Sequence, residues 1–201
     1  MKVLLIGHSY VRDLQDLGYD SFIKENIEFS VKYVYKNGGN YKSMLDDTEL
    51  LETAFNFHPD IVIVILAANS LKNNVPNSEI HIHCRNFYQL LRIRLPKAKI
   101  IAAQIELRFY SATNQWDAPE IESYEKRRRD LNNFLKRLKL KDAIMMVAGP
   151  NRIDNRVYYR DGVHLNSVGV RKYFDFVKCT VASVYRKSLC WNCMEGMPTK
   201  K

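Results

Sequence analysis

The chain has 201 residues, of which 46% are hydrophobic and 26% charged. These values are typical of one globular domain with a full core, and they exclude a largely disordered chain or a pair of large domains. The formal net charge of +9 favours contact with phosphates, anionic lipid or an acidic partner, but it indicates nothing about the fold.

No apolar run approaches the ~20 residues that a membrane-spanning helix needs, and the apolar stretch before His8 is too short for a secretory signal. We therefore expect no transmembrane segment and an intracellular, cytoplasmic location. The expected domain covers residues 1–188, followed by a C-terminal tail over 189–201.

Apolar, β-branched runs recur along the chain and predict strands. The runs cover residues 3–6, 27–35, 61–66, 100–103 and 143–147. Several are apolar at every position instead of alternating with polar residues, which is typical of strands buried on both faces of a parallel sheet. Strands of this kind need helices above and below the sheet.

The segments between these runs have helical spacing of apolar residues. Helices are predicted over residues 10–17, 41–57, 78–95, 120–138 and 168–185. Pro59 and Pro96 end the second and third of them before the next strand. The alternation predicts a three-layer α/β/α sandwich with a central, mainly parallel, five-stranded sheet and right-handed crossovers.

The carboxyl ends of the strands are where an open α/β sheet collects its reactive groups. The first strand ends in Gly7-His8-Ser9, directly before a predicted helix. This position places the Ser9 hydroxyl at the rim of the sheet, near the positive end of a helix dipole. Serine is also a preferred N-cap residue, and for Ser9 taken alone the cap is the better interpretation.

An Asp-x-x-His sequence precedes the last helix. Asp161 and His164 are three residues apart, so the carboxylate can accept a hydrogen bond from one imidazole nitrogen. The other nitrogen is then free to take a proton from Ser9. A capping Asp and an incidental His are the alternative, but the combination with a serine at a strand end favours a catalytic triad.

Acyl transfer also needs hydrogen-bond donors for the oxygen that becomes negatively charged. Gly38-Gly39-Asn40 follows the second strand, and glycine lets backbone N–H groups approach a substrate closely. Asn69 follows the third strand and offers a side-chain amide. An ordinary turn and a loop or N-cap Asn are the alternatives.

The order Ser, Gly, Asn and Asp-x-x-His on successive strand ends resembles the SGNH hydrolases, also called the GDSL-like esterase and lipase superfamily. The resemblance extends from residue 6 to residue 169, and the sequence DGVHLNSVG carries its most specific part. It implies the flavodoxin-like SGNH hydrolase fold and a serine esterase that cleaves an acyl or acetyl ester without a cofactor. The implied catalytic residues are Ser9, Asp161 and His164, and the implied oxyanion-hole donors are Ser9, Gly39 and Asn69.

Two positions depart from the family pattern. The usual Asp of the first block is His8, and the usual Gly-x-Asn-Asp of the third block is Ala67-Ala68-Asn69-Ser70. In the family both Asp positions support the site, so the departures threaten alignment of the nucleophile more than they remove chemistry. They predict a weak or very selective enzyme acting on a small-molecule or lipid-like ester. The acyl pocket is expected to be lined by the loops 70–78 and 104–118.

The departures also resemble those of the SGNH-like domain of Oskar-type germ-plasm proteins, which binds RNA and has lost most catalytic residues. This chain keeps all the positions of the pattern, which favours the esterase. A further resemblance is to esterase domains encoded in some non-LTR retrotransposons. A catalytically weak or inactive module that binds RNA or another polyanion, or serves as an interaction scaffold, is the alternative function.

The fourth predicted helix carries a dense set of cations that the RNA-binding alternative would use. They are Lys126, Arg127, Arg128, Arg129, Lys136 and Arg137. A solvated helix face is the other interpretation, and the absence of interleaved aromatic residues favours it.

Cys190 and Cys193 have the spacing of half a zinc site. No second pair follows them, so we expect no metal.

Overall fold

The computed structural model describes residues 1–24, 26–72, 75–108, 118–138, 145–148 and 155–189. Within these ranges the strands are β1 (Lys2–Gly7), β2 (Ser21–Lys24), β3 (Ile27–Tyr35), β4 (Ile61–Ile65), β5 (Lys99–Ala103) and β6 (Met145–Ala148). The helices are α1 (Ser9–Gln15), α2 (Tyr41–Leu45), α3 (Thr48–Phe55), α4 (Ala68–Lys72), α5 (Asn77–Arg94), α6 (Ala118–Arg137) and α7 (Ser167–Leu189).

The strands form one sheet in the order β2-β3-β1-β4-β5-β6. The pairs β1–β3, β1–β4, β4–β5 and β5–β6 are parallel, whereas β2 pairs antiparallel with β3. The prediction of five mainly parallel strands is therefore confirmed, and β2 adds a sixth strand at the edge. Strands β2 and β3 lie on one side of β1, and the later strands β4, β5 and β6 lie on its other side. The strand order therefore reverses at β1, and α/β folds place their ligands at such a topological switch point.

Helices cover both faces of the sheet, which explains why its central strands are apolar throughout. Leu4 and Ile6 pack into a core formed with α2, α3, α5 and α6, whereas Val3 and Leu5 pack into a second core formed with α1 and α7. Successive side chains of a strand point to opposite faces, so the positions of β1 and β4 that lie between the two helix layers need apolar residues.

The segment predicted as a single helix over 41–57 forms two helices, because polar caps interrupt it. Asn40 and Ser43 form a capping box that starts α2. The side chain of Asp47 then accepts a hydrogen bond from the backbone N–H of Leu50 and starts α3. The apolar spacing runs through the break because both helices pack on the same core.

Helix α7 extends to Leu189, one residue beyond the predicted end of the domain. No helix within the described ranges combines the length and apolarity needed to cross a bilayer.

Candidate active site

Parallel strands end at the same edge of the sheet, and an open pocket lies at that edge. Segments that follow β1, β4 and β5 contribute Ser9, Asn69 and Glu106 to its lining. His164, from the loop before α7, lines the same pocket. The fold thus brings the predicted serine, asparagine and histidine to one cavity.

Ser9 is the first residue of α1, and its neighbour His8 is the N-cap. The Nδ1 atom of His8 accepts a hydrogen bond from the backbone N–H of Tyr10 at 3.3 Å. The structure therefore corrects the interpretation of Ser9 as a capping residue, and its hydroxyl is not used for that purpose. A Cβ atom on Gly7 would lie 2.1 Å from the carbonyl oxygen of Ile65, so only glycine lets β1 pack this closely on β4 before Ser9.

His8 is buried and takes the place where the family pattern has an aspartate. Burial, then the positive charge of Arg108 and the electrostatic interaction with the His164 ring, lower the pKa of His8 to about 3. The imidazole is therefore neutral at pH 7, and because Nδ1 is an acceptor the proton lies on Nε2. A neutral acceptor thus caps the helix that begins at Ser9 without itself adding a charge to the pocket wall.

Asp161 and His164 form the pair expected from their spacing. The His164 Nδ1 atom lies 2.6 Å from the Asp161 Oδ2 atom, and the Asp161 Oδ1 atom accepts hydrogen bonds from the backbone N–H groups of Val163 and His164, both at 2.9 Å. The cap of α7 is Asn166, whose side-chain oxygen accepts from the N–H groups of Val168 and Gly169 at 3.0 Å. Asp161 is therefore not the helix cap that the alternative interpretation required.

The pKa of Asp161 reflects opposing effects. Burial by itself raises the pKa, but the hydrogen bonds from the His164 ring and from the backbone N–H groups of His164 and Val163 together lower it below its ordinary value. The carboxylate is therefore ionised at neutral pH and can hold the His164 ring with its proton on Nδ1.

Tyr10 connects the two ends of the candidate site. Its hydroxyl donates a hydrogen bond of 2.6 Å to the carbonyl oxygen of Val163, the residue before His164. Sequence reasoning missed this residue, because the two partners are 153 positions apart and Tyr10 has only the pattern of a helical core residue.

Asn69 and Gly39 are also brought together. The Asn69 Nδ2 atom donates a hydrogen bond of 3.1 Å to the carbonyl oxygen of Gly39. The Gly39 N–H donates to the carbonyl oxygen of Lys36 at 2.8 Å and closes a turn in which Gly38 has a φ of +67°. The Gly39 N–H has to leave this turn, or share its hydrogen, before it can contact an oxyanion. Its role as a donor stays a prediction.

Comparison with known proteins gives similarity in structure alone. No family model matches the sequence, and no curated protein matches it. Among solved structures, a carbohydrate esterase family 3 protein from Talaromyces cellulolyticus is similar over 93% of this chain and 99% of its own, with a TM-score of 0.63 and 14% identity. An acetyl esterase mutant with an acetate ion covers 94% of this chain and 99% of its own, with a TM-score of 0.63 and 15% identity.

A GDSL-like lipase from Bacteroides thetaiotaomicron covers 93% of this chain and 88% of its own, with a TM-score of 0.57 and 14% identity. The chain has the SGNH hydrolase fold. The resemblance noted in the sequence is thus matched by the three-dimensional arrangement of the whole domain.

In this SGNH fold the third block is strained at the position where the pattern has glycine. Ala67 has a φ of +90°, a conformation that costs an L-residue roughly 1–2 kcal/mol. Its carbonyl oxygen accepts a hydrogen bond of 2.9 Å from the N–H of Ser70 and thereby starts α4, the short helix that carries Asn69. The positive-φ turn before Asn69 therefore forms although an alanine occupies it.

The wall of the SGNH pocket after β5 consists of residues 104–108, which belong to one of the loops expected to line it. Arg108 is buried, and its guanidinium lies 4.6 Å from the centre of the Tyr124 ring and donates to the carbonyl oxygen of Ala68 at 3.3 Å. Sequence reasoning did not single out Arg108 or Glu106, because a charged residue in a predicted loop normally indicates solvent exposure.

Two of the six cations proposed for nucleic-acid binding point into the domain instead of outward. Arg127 donates to Asn77 Oδ1 at 2.9 Å and to the carbonyl oxygens of Leu71, at 2.8 Å, and Val75. Arg128 pairs with Glu125 at 2.8 Å. Arg127 and Arg128 thus make contacts within the domain, and a nucleic-acid-binding role of the six residues stays a prediction.

Arg128 also donates to the carbonyl oxygen of Ile105 at 3.1 Å. Exposed basic residues of the set are Lys126, Arg129, Lys136 and Arg137.

Within the described ranges, no three His, Cys, Asp or Glu residues form a group that could hold a metal ion. Cys190 and Cys193 lie outside the described residues. Cys84 is buried, and burial raises the pKa of its thiol to about 12, so it has no reactive thiolate at neutral pH.

Proposed function

We propose that this chain is a serine esterase of the SGNH kind that hydrolyses an acyl or acetyl ester. The observation that carries the proposal is the 2.6 Å contact between Asp161 and His164, in a loop whose histidine lines the same pocket as Ser9. The similar proteins of known structure include some described as an acetyl esterase, an acetyl xylan esterase and a GDSL-like lipase, which supports ester hydrolysis as the reaction class.

In the proposed mechanism, Asp161 keeps the proton of neutral His164 on Nδ1, which leaves Nε2 as the base. His164 Nε2 takes the proton from Ser9 Oγ as the oxygen attacks the ester carbonyl. The same proton then goes to the leaving alcohol. Water, deprotonated by His164, attacks the acyl-enzyme and releases the acid and free Ser9.

The proposed oxyanion hole consists of the backbone N–H of Ser9, the side-chain amide of Asn69 and the backbone N–H of Gly39. As the first residue of α1, Ser9 has a backbone N–H outside the hydrogen-bond pattern of the helix. No acceptor within the described residues forms a hydrogen bond with this N–H. Asn69 lines the pocket beside it. Removal of such a donor typically lowers kcat by about 10²- to 10³-fold.

The test combines an active-site label with an esterase assay. A fluorophosphonate probe should label wild-type protein on Ser9, and the protein should hydrolyse p-nitrophenyl acetate. The Ser9→Ala variant should lose labelling and at least ~10³-fold in kcat/KM, with an unchanged circular dichroism spectrum.

Ser183→Ala, which removes an exposed hydroxyl on α7, is the matched control and should retain both signals. Equal hydrolysis by the wild type and Ser9→Ala would contradict the proposed nucleophile.

A further inference from the structure

Two residues that line the pocket each have a buried polar atom without a hydrogen-bond partner among the described residues. They are the Oε1 atom of Glu106 and the hydroxyl oxygen of Tyr173. Both residues line the pocket that Ser9 and His164 line. Buried polar groups are almost always hydrogen-bonded, because an unmet one costs about 1–3 kcal/mol. Two such residues around one pocket point to a polar group as their partner.

Glu106 and Tyr173 are also electrostatically coupled. Burial raises the pKa of Glu106 to about 8, although the positive charge of Arg128 opposes this effect. Burial, and then the charge of Glu106, raise the pKa of the Tyr173 hydroxyl well above its ordinary value. At neutral pH most Glu106 carboxyls and all Tyr173 hydroxyls are therefore protonated, so each can donate and accept a hydrogen bond.

The charges around these two residues select the type of group they can bind. A cationic group would meet the guanidinium of Arg108, which lines the same pocket. An uncharged hydroxyl avoids this repulsion, and it can donate one hydrogen bond and accept another, as Glu106 and Tyr173 each can.

We propose that Glu106 and Tyr173 form a specificity subsite that binds a hydroxyl group on the acyl part of the substrate. In the proposed acyl-enzyme only the acyl part remains bound to Ser9, so the pocket that Ser9 lines together with Glu106 and Tyr173 holds this part of the substrate. The enzyme thus prefers short hydroxyacyl esters over alkyl esters of the same length. This inference rests on the proposed esterase function and adds its substrate class.

The test compares two esters of equal length, p-nitrophenyl 3-hydroxypropanoate and p-nitrophenyl butanoate, which differ by a hydroxyl in place of a methyl group. Each kcat/KM is divided by the rate constant for hydroxide-catalysed hydrolysis of the same ester, to remove the difference in intrinsic reactivity. Wild-type protein should prefer the hydroxy ester by about 10-fold, the ratio expected for a buried hydrogen bond.

The variants separate hydrogen bonding from packing. Tyr173→Phe removes only the hydroxyl oxygen and should reduce the preference to about 2-fold or less. Glu106→Leu should have the same effect, whereas Glu106→Gln retains a donor and an acceptor and should keep most of the preference. Tyr88→Phe is the matched control, since Tyr88 is fully buried in the core on the other face of the sheet, and it should keep the wild-type ratio.

The outcomes distinguish the subsite from the esterase itself. Hydrolysis of both esters with equal normalised kcat/KM, or a preference that Tyr173→Phe and Glu106→Leu leave unchanged, overturns the subsite and leaves the esterase in place. Hydrolysis of neither ester overturns both. Tyr173→Phe keeps the test decisive if Glu106→Leu fails to fold.

Discussion

The two ends of the candidate site are held in different ways. The residues before Ser9 are fixed by the sheet, since Gly7 pairs with Tyr35 on one side and Ile65 on the other, and the N–H of His8 donates to Ile65 at 3.1 Å. The loop of His164 belongs to no strand or helix, and the His164 side chain is 45% exposed. The loop is held by the isolated bridge between Tyr158 and Leu165, by backbone hydrogen bonds within the loop, and by side-chain hydrogen bonds such as those of Asp161.

Because of this difference, we expect substitutions at the two ends to affect stability and turnover to different extents. Changes at the nucleophile end disturb buried strands and a helix start, so they should affect both the free energy of unfolding and turnover. Changes in the histidine loop should affect turnover with little change in stability. The variants below test this comparison, beginning with the largest expected effect.

Asp161→Asn should lower kcat/KM by about 10³- to 10⁴-fold. The Asn oxygen can still accept from the N–H groups of Val163 and His164, so the loop should keep its backbone conformation. The amide, however, would donate to His164 Nδ1 and move the ring proton to Nε2, where it blocks proton uptake from Ser9. The measurement is ester hydrolysis together with Tm.

Asp175→Asn, which removes an ion pair with Lys178 on α7, is the control for Asp161→Asn and should have wild-type activity. A loss of Tm as large as that of a core variant would show that the loop is not independent of the fold.

His8→Asn should make the free energy of unfolding depend less on pH below about pH 6.5. The pKa of His8 is about 3 in the folded chain, below its ordinary value, so between pH 6.5 and pH 3 the unfolded chain binds a proton that the folded chain does not. Wild-type stability should therefore fall with decreasing pH by up to about 1.4 kcal/mol per pH unit from this residue. Asparagine retains a capping acceptor but does not titrate.

Urea unfolding of wild type and His8→Asn at pH 7.5, 6 and 5 measures this slope. At pH 7.5 the titration contributes almost nothing, so the difference there reports the cap and the packing of the buried imidazole against Tyr10. Parallel slopes for the two proteins would contradict a neutral, buried His8.

Tyr10→Phe should destabilise the fold by about 1–2 kcal/mol and lower kcat by roughly 10-fold. The hydroxyl of Tyr10 is the link between α1, which carries Ser9, and the carbonyl oxygen of Val163 in the histidine loop. Without it the distance between nucleophile and base is less restricted. Chemical unfolding and steady-state kinetics measure the two effects.

Tyr33→Phe is the matched control, because the Tyr33 hydroxyl makes a bond of equal length, 2.6 Å, to the carbonyl oxygen of Tyr19, neither of which lines the pocket. Its kcat should equal that of wild type. A similar loss of kcat in both variants would remove the special role of Tyr10.

Ala67→Gly should change stability by less than about 1 kcal/mol, because relief of the positive φ offsets the lost methyl group and the greater entropy of the unfolded chain. Ala102→Gly, at an equally buried position in β5, has no such relief and should cost about 1–2 kcal/mol. Thermal unfolding of both variants gives the comparison. Equal losses would show that Ala67 is not strained.

Most of the sheet could be predicted from the sequence, whereas its smallest elements could not. Strand β2 is only four residues long, half-exposed and joined to β3 through Asn26 in a positive-φ turn, so it has no apolar run that would identify it. Helix α4 has five residues, which are too few for the apolar spacing of a helix to repeat. In both, contacts made by the rest of the fold determine the conformation.

The sequence by itself determined the layers and the Asp161–His164 pair. Apolar strands that need cover on both faces imply the layers, and a pair three residues apart meets through local geometry alone. Only the tertiary structure decided that His8 caps the helix that begins at Ser9 and that Tyr10 contacts the loop of His164. It also decided that Arg127 and Arg128 turn inward. Glu106 and Tyr173 share a pocket for the same reason. Apart from the local cap of His8, these contacts join residues far apart in the chain, so they depend on the order of the strands and the packing of the helices, which local pattern does not specify.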